Sequence, residues 1–289
     1  MKTLVTGATG KLGSKVVAEL LKKLRPSELA VSVRTPEKAA HLKALGVDVR
    51  QADFDQPETL TRAFSGIDKL LLISADGDNE TRIRQHANAV AAAKQAQVKF
   101  IAYTSVGNAS ESSLFLAPVH KLTEEAIRKT GIPFSFLRNN WYLENETGTI
   151  QAVLAGAPWL TAAKDGKVGW ALQQDYAEAA AAVLLGSEHE NSVYELSGKP
   201  LTQEELAAAL GEVLQKDVPV KQVDDATYAE IMGQVGVPDF VVPILVEIQR
   251  AIRAGALDLP RSDFEALLGR PLTPLNQGLS QIVEGLAKK

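Results

Sequence analysis

The sequence predicts an α/β fold, with a doubly wound parallel sheet and a small, mainly helical C-terminal domain. Short runs of Val, Ile, Leu and Phe alternate with longer segments of helical periodicity from residue 2 to about residue 140, a rhythm typical of repeated βαβ units. Beyond residue 138 the alternation loosens, and prolines divide the remaining helical patterns into short pieces. The 289 residues suffice for one large domain or two unequal ones, at about 150 residues per domain.

Six strands and five helices are predicted in the first half of the chain. The strands show almost no alternation of polar and apolar residues, which indicates a sheet covered on both faces. They are expected at residues 3–6, 29–34, 47–51, 69–74, 100–104 and 134–138. The helices repeat apolar residues at helical spacing, and two of them carry Pro in the first turn. They are expected at residues 11–24, 36–45, 57–64, 79–97 and 116–130.

The C-terminal half combines a return to the sheet with a separate helical part. An Ala-rich helix at residues 174–185 and a strand at 193–196 are expected to rejoin the sheet. Thr202 and Glu205 form a capping box that begins a mostly helical tail. We therefore expect a larger domain at residues 1–150, to which 174–197 return, and a small substrate or lid domain made of residues 151–173 and 198–289.

The composition argues against several classes of function. With 31 basic and 35 acidic residues the net charge is −4, which leaves no broad positive field for nucleic acid. The absence of cysteine removes disulfides, thiolate metal sites and a Cys nucleophile. No apolar run approaches the roughly 20 residues of a membrane helix, and the N-terminus lacks the pattern of an export signal. We expect a cytoplasmic protein that binds neither nucleic acid nor membrane.

The first predicted strand runs directly into a Gly-x-x-Gly-x-x-Gly loop that opens the first helix. The loop consists of Gly7, Ala8, Thr9, Gly10, Lys11, Leu12 and Gly13. In a dinucleotide site the first Gly allows the tight turn, the second admits the pyrophosphate, and the third lets helix and strand pack closely. The helix N-terminus adds free amides and the positive end of its dipole. The loop predicts a Rossmann-type dinucleotide site; a glycine-rich turn that binds nothing is the alternative.

The end of the second strand indicates which dinucleotide is bound. NAD sites usually carry Asp or Glu there to accept from the ribose hydroxyls, but this strand ends in Arg34. A guanidinium cannot accept a hydrogen bond and suits a 2′-phosphate, so we expect NADP(H); a plain surface arginine is the alternative. Asp53 and Phe54 follow the third strand and could flank the adenine, although an ordinary acidic turn explains them nearly as well.

Four segments together resemble a known family. They are VTGATGKLG at residues 5–13, KLLLIS at 69–74, KFIAYTS at 99–105 and LRNNWY at 137–142. They are similar to the NmrA-like branch of the atypical short-chain dehydrogenases/reductases, and within it to bacterial type-2 NAD(P)H:quinone oxidoreductases and triphenylmethane reductases. The resemblance spans nearly the whole chain. It implies a Rossmann domain with a small substrate domain above it and NADPH across the strand ends.

The resemblance also implies positions for the cofactor. Residues 7–12 would hold the pyrophosphate, and Arg34 the 2′-phosphate. The positions implied along the strand ends and at the nicotinamide and substrate edge are Ser74, Ala75, Tyr103, Thr104, Arg138, Asn139, Asn140, Trp141, Tyr142 and Leu143.

The wider superfamily uses a Tyr-x-x-x-Lys pair that this chain lacks. Its tyrosine and lysine positions fall at Leu116 and His120. A ketone that accepts hydride becomes a strongly basic alkoxide and needs a matched acid, whereas a reduced quinone is a phenolate whose conjugate acid has a pKa near ~10. A cationic triarylmethane dye needs no proton at all. The missing tyrosine therefore points to easily reduced acceptors.

Three residues are candidates for a catalytic role. His120 could orient the acceptor or supply a proton, although a lone helix histidine is as often structural. Asn140 and Tyr142 follow the sixth strand, where backbone at strand ends meets ligand, and Trp141 with Tyr142 could stack on a flat acceptor or merely anchor the lid. We expect no metal site, because the four histidines lack metal-ligand spacing.

These observations predict an NADPH-dependent oxidoreductase that passes hydride directly to a quinone or a similar flat electrophile without flavin. A non-catalytic NADP(H)-binding redox sensor of the NmrA type is the alternative. An epimerase or lyase is less expected, since it would ordinarily use the absent Tyr-x-x-x-Lys pair. The expected partner is a small aromatic or quinone acceptor, and the sequence leaves a homo-oligomer open.

Overall fold

A computed structural model describes residues 1–260 and 262–288 of the chain. Its main sheet has seven parallel strands in the order β11-β6-β5-β4-β1-β2-β3. These strands are β1 (Thr3–Thr6), β2 (Leu29–Val33), β3 (Asp48–Gln51), β4 (Lys69–Leu72), β5 (Phe100–Val106), β6 (Phe134–Asn139) and β11 (Ser192–Leu196). The predicted doubly wound α/β fold is confirmed. The order reverses between β1 and β4, and ligands of such sheets bind beyond the carboxyl ends of the strands at that point.

Helices cover both faces of the sheet. They are α1 (Lys11–Leu21), α2 (Ala40–Ala44), α3 (Pro57–Phe64), α4 (Asn79–Gln95), α5 (Ala117–Thr130), α6 (Thr147–Leu154), α7 (Gln173–Leu185), α8 (Gln203–Leu214), α9 (Asp225–Gln234), α10 (Val242–Arg253), α11 (Phe264–Leu268) and α12 (Leu275–Ala287). Helices α1 and α7 pack together on one face, and α3, α4 and α5 on the other. Within β1, Leu4 joins the cluster under α3 and α4 while Val5 joins the one under α1 and α7, as the two-residue period of a strand requires.

Most predicted bounds are right within a few residues, and three differences have physical causes. Strand β4 ends at Leu72 rather than at residue 74, because the amides of Ile73 and Ser74 donate to the threonine hydroxyls of Thr6 and Thr104 instead of to a neighbouring strand. Strand β3 is only half-buried, since it forms the edge of the sheet. The helix predicted at residues 36–45 is a 3₁₀ turn, Pro36–Ala39, followed by the short α2.

A second layer lies over one end of the sheet. It contains α6, α8, α9, α10 and α12 together with short strand pairs, so the layer is mainly helical, as predicted. The additional strands are β7 (Trp141–Tyr142), β8 (Trp159–Thr161), β9 (Lys167–Val168), β10 (Trp170–Ala171), β12 (Leu201–Thr202) and β13 (Val220–Gln222). They pair as β7 with β10, β8 with β13 and β9 with β12. Trp159 is fully buried in the core of this layer.

The C-terminal segment does not stay in the layer to which residues 198–289 were assigned. Phe264 of α11 is fully buried against α7 in the core below the sheet, and only α12 returns to the lid, where it packs on α8. Across the described ranges, no helix has both the length and the apolar character needed to cross a membrane.

Candidate functional site

The glycine loop leaves β1 and enters α1 with the geometry that its sequence predicts. Gly7 has a φ of +59°, which favours glycine, and its carbonyl accepts from the amide of Gly10 over 2.9 Å. A Cβ on Gly13 would lie 2.2 Å from the Gly7 carbonyl oxygen, so this position tolerates no side chain. Gly7 therefore turns the chain tightly and Gly13 brings α1 against β1, as predicted, while admission of a pyrophosphate at Gly10 stays a prediction.

The N-terminus of α1 is open toward this loop. Gly10 is the N-cap residue, and no side chain caps the helix. The first-turn amides of an uncapped helix need an external partner, and an anion at that end gains from the helix dipole as well. Gly7, Thr9, Gly10 and Lys11 are all exposed there. This arrangement fits the pyrophosphate of a dinucleotide.

Arg34 follows the last residue of β2 and is exposed. Its guanidinium makes no hydrogen bond or ion pair with any residue that the structure describes, so it is available to a phosphate. Asp53 is different, because its Oδ1 accepts from the amide of Asp55 over 3.0 Å in an Asx turn. Phe54 is half-buried against the core under α3. These contacts favour the ordinary acidic turn at 53–54, and a role at the adenine stays a prediction.

The residues after β4 are held by side chains of neighbouring elements. The Ser74 amide donates to Thr104 Oγ1, and the Ala75 amide donates to His86 Nε2, each over 2.9 Å. Ser74 and Ala75 keep part of their surface exposed at the carboxyl edge of the sheet. Thr104 is buried, so its hydroxyl acts by fixing Ser74 rather than by facing a ligand.

A buried polar network lies behind Ala75, between α4, α5 and β5. Its members are Arg82, His86, Tyr103, His120 and Thr123. A backbone N–H can only donate, so Nε2 of His86 carries no proton, and its Nδ1–H donates to Thr123 Oγ1 over 2.9 Å. A guanidinium can only donate as well, so Nε2 of His120 accepts from Arg82 over 3.1 Å.

Both histidines are therefore neutral. Burial, reinforced by the nearby Arg82 charge, lowers the pKa of His86 to about 3 and the pKa of His120 well below its usual value. His120 is 4% exposed, and its Nδ1–H is taken by the Tyr103 hydroxyl over 2.8 Å. The expectation that His120 contacts the acceptor or supplies a proton is not supported by this geometry, because both ring nitrogens are occupied inside the protein.

Tyr103 also departs from the expected position in the cofactor wall. Its side chain has no exposed surface, and its hydroxyl faces the two histidines, away from the glycine loop. Burial raises the pKa of this phenol far above its usual value. Successive residues of a strand point to opposite faces, and in β5 the side chain of Tyr103 points into the core beneath α4 and α5.

Arg138 is a structural residue rather than a cofactor contact. Its Nε and Nη2 donate to the two oxygens of Glu124 over 2.9 and 2.8 Å, and its Nη1 donates to Glu195 over 2.9 Å. Ser105 completes the group by donating to Glu124 Oε1 over 2.7 Å. Burial opposes the charge, but the two carboxylates outweigh it and raise the arginine pKa. The guanidinium is thus committed to joining β6, α5 and β11.

The end of β6 carries two amide side chains with unused acceptors. The Oδ1 atoms of Asn139 and Asn140 are buried and have no hydrogen-bond partner among the described residues. Nδ2 of Asn139 donates to the Tyr142 hydroxyl over 3.0 Å, and Nδ2 of Asn140 donates to Ser197 Oγ over 2.8 Å. A buried acceptor without a donor is costly, so these oxygens fit hydrogen-bond donors supplied by a ligand.

Of the three residues that follow, Tyr142 packs against the core under α1 and α7, whereas Trp141 and Leu143 belong to the lid. Tyr142 packs edge-on against Tyr176, with ring centroids 5.0 Å apart. Burial raises the pKa of Tyr142 to about 12, and its hydroxyl accepts from Asn139 while keeping its own proton. Leu143 is buried in the lid core, which is a correction to its expected place at the ligand edge. Trp141 packs on the same lid core, as the anchoring alternative expected.

Within residues 1–260 and 262–288, the structure brings no three His, Asp or Glu side chains together in a way that could hold a metal ion. The sequence reasoning missed Arg82, His86, Glu124 and Glu146. A signal for the first two was present: positions 82 and 86 continue the buried stripe that Ala89, Val90 and Ala93 form on α4. Polar residues on a buried stripe indicate a satisfied polar cluster.

The fold and the glycine loop define an α/β protein of the dinucleotide-binding class, with a parallel sheet and a lid above one end of it. Residues 1–256 match the NmrA-like family. The chain is 40% identical over 279 residues to quinone oxidoreductase 2 of Escherichia coli (strain K12), covering 96% of this chain and 97% of that one. The chain therefore belongs to the NmrA-like family, as its sequence motifs indicated.

Two solved structures resemble the whole chain. Citrobacter sp. triphenylmethane reductase complexed with NADP(H) has a TM-score of 0.94 and 40% identity, covering 98% of this chain and 100% of that one. NADPH-dependent quinone oxidoreductase from Escherichia coli, complexed with NADPH, has a TM-score of 0.93 and 39% identity, covering 97% and 99%. These relatives confirm the predicted NADP(H)-dependent, quinone-reductase-like enzyme.

Proposed function

We propose that the protein transfers hydride from NADPH directly to a quinone or a similar flat, electron-poor acceptor, without flavin. The observation that carries this proposal is the state of His120. At the position where the superfamily uses a catalytic lysine, this chain holds a neutral, buried imidazole with both nitrogens occupied. A reaction whose product is a weakly basic phenolate tolerates the loss of the superfamily's acid, whereas ketone reduction does not.

The cofactor supplies the hydride when it is bound, and the protein holds it in place. We assign the pyrophosphate to the amides at the start of α1, and the 2′-phosphate to the Arg34 guanidinium. The unused oxygens of Asn139 and Asn140 would accept hydrogen bonds at the nicotinamide end. The acceptor would lie between the β6 end and the lid, where Trp141 forms an aromatic wall. Residues 1–150 with 174–197 would form the cofactor unit, and most of the remainder the lid.

The decisive experiment measures the oxidation of NADPH by a small benzoquinone in the presence of the purified protein. The absorbance spectrum of the protein first establishes that it contains no flavin. NADPH deuterated on the transferred face should give a primary kinetic isotope effect on kcat/KM, because the C–H bond breaks in the transfer itself. Nucleotide binding without consumption in the presence of a panel of quinones would favour the sensor alternative instead. The cytoplasmic location, the homo-oligomer and the absence of a nucleic-acid partner stay predictions.

A further inference from the structure

A single carboxylate oxygen accepts hydrogen bonds from two tryptophans that belong to the lid core. Oε1 of Glu146 accepts from Trp141 Nε1 over 3.2 Å and from Trp170 Nε1 over 3.0 Å. The convergence follows from the pairing of β7 with β10, in which Trp141 lies opposite Trp170. Opposite residues of paired strands point to the same face, so both indoles reach the same atom. Glu146 ends the 3₁₀ turn Leu143–Glu146 that follows β7.

The second oxygen of Glu146 has no such partner. Oε2 makes no hydrogen bond and no ion pair with the residues that the structure describes. Burial raises the pKa of Glu146, and the two indole N–H groups offset only part of that effect. Glu144 on the same turn differs, because both of its oxygens accept from the amide of Gln173.

Among the surrounding elements, α9 presents one titratable group to Glu146. This group is Tyr228, whose pKa is raised to about 12 by burial and by the Glu146 charge. The Tyr228 hydroxyl has no hydrogen-bond partner among the described residues, and β7 and β10 present only the two indoles. Glu146 is therefore a partly exposed carboxyl in aromatic surroundings, and no cation of the described residues forms an ion pair with it.

We propose that Glu146 is the acid that protonates the reduced acceptor, with the proton carried on Oε2. The assignment rests on the proposed function. The two indoles define Oε1 as the accepting oxygen in either protonation state, which leaves Oε2 to carry and deliver the proton. This acid sits on the lid side of the acceptor, in place of the tyrosine that the superfamily would provide from the position of Leu116.

Reduction of a quinone to a hydroquinone requires one hydride and one proton. Hydride brings two electrons and one hydrogen nucleus from NADPH, which leaves as NADP⁺, and the quinone becomes the hydroquinone monoanion. The Oε2–H bond of Glu146 breaks as a new O–H bond forms on the acceptor. The carboxylate then regains a proton from water, which the partly exposed position of Glu146 allows.

The test compares Glu146→Gln with the unaltered protein over a range of pH. Glutamine keeps an oxygen for the two indoles but carries no transferable proton. With a benzoquinone, kcat of the unaltered enzyme should fall as pH rises through the raised pKa of Glu146. The variant should lack this pH dependence and show kcat lowered about 10- to 100-fold, at or below the low end of general acid catalysis because the phenolate is a weak base.

Two comparisons make the result specific. A cationic triarylmethane dye takes hydride without a proton, so its kcat with Glu146→Gln should stay within about threefold of the unaltered enzyme. Glu284→Gln, at an exposed position of α12, makes the same chemical change away from the lid core and should leave both reactions unaltered. The Kd for NADPH, measured for each variant, checks that the variant is folded and binds the cofactor.

Two results would overturn the inference. In one, Glu146→Gln keeps the quinone kcat and its pH profile. In the other, the variant changes only KM for the cationic dye, which would make Glu146 a recognition group for cations. If the unaltered protein reduces no quinone at all, it is the proposed function that fails, and the two failures are thereby distinguished.

Discussion

The imidazole of His86 accepts a hydrogen bond from the backbone amide of Ala75 over 2.9 Å, and this contact ties α4 to the segment that follows the central strand β4. His86 is 1% exposed and is itself held by Thr123. The peptide at the carboxyl edge of the sheet is thus positioned by a buried network rather than by strand pairing. Arg82, 5% exposed and without a carboxylate partner among the described residues, supports the same network through His120.

Replacing His86 by leucine should weaken NADPH binding while leaving the fold intact. The partly buried Ala75 amide would lose its acceptor, and leaving an amide unsatisfied costs up to about 1–3 kcal/mol. We expect KM and Kd for NADPH to rise about 5- to 100-fold with a smaller change in kcat. His86→Gln can still offer an acceptor oxygen to Ala75 and should recover most of the loss. Equal NADPH affinity in His86→Leu and the unaltered protein would show that this hydrogen bond does not position the cofactor.

The same network predicts how stability depends on pH. The pKa of His86 is about 3 in the folded protein and about 6.5 in the unfolded chain. Between these values the unfolded chain binds more protons, so the free energy of unfolding falls as the pH falls. For His86 alone the slope is small near pH 7 and approaches about 1.4 kcal/mol per pH unit toward pH 5, where the unfolded histidine is protonated. Urea unfolding between pH 7 and 5 measures it, and His86→Gln should show a shallower slope.

The strands and the cofactor loop could be predicted because their signals are local. Strand β1 and the loop to Gly13 depend on apolar runs and glycines that adjoin in sequence. The end of β4 could not be predicted, since the hydroxyls of Thr6 and Thr104 that terminate it come from other strands.

Residue roles at the site were harder to predict than residue positions. Tyr103 and Arg138 lie on the strands where they were expected, but strand alternation and the partners Glu124 and Glu195 commit their side chains to contacts inside the protein. Glu146 carried no local signal at all, because its environment depends on the pairing of β7 with β10.

Adding one methyl group at Gly13 should weaken cofactor binding. The Cβ of Gly13→Ala would lie 2.2 Å from the Gly7 carbonyl oxygen, so the loop must move away from α1. We expect NADPH affinity to fall by at least about tenfold, equivalent to about 1.4 kcal/mol. Gly148→Ala in α6 is the matched control, since nothing lies within 4 Å of its added Cβ. Quenching or enhancement of NADPH fluorescence measures both, and unaltered affinity in Gly13→Ala would contradict the proposed pyrophosphate site.

Reversing the charge at Arg34 should reverse the preference for the phosphorylated nucleotide. Charge-assisted hydrogen bonds contribute about 1.5–3 kcal/mol each, so Arg34→Asp should lower kcat/KM for NADPH about 10- to 100-fold and improve it for NADH. Lys43→Asp makes the same change of charge at an exposed position of α2 and should leave the ratio unaltered. If both variants shift the ratio equally, net charge rather than a contact at Arg34 determines nucleotide preference.

Breaking the buried ion pair of Arg138 and Glu124 should destabilise the protein without changing its cofactor preference. Removing one partner leaves a charge buried without compensation, which costs about 3–5 kcal/mol. We expect Arg138→Met to lose stability toward the low end of this scale in urea unfolding, because Glu124 keeps only the Ser105 hydroxyl and a long ion pair of 3.9 Å with the more exposed Arg128. The double variant Arg138→Met, Glu124→Leu removes both charges and should lose clearly less. If the single variant is instead fully stable but binds NADPH poorly, Arg138 contacts the cofactor after all, since a purely structural pair would affect unfolding first.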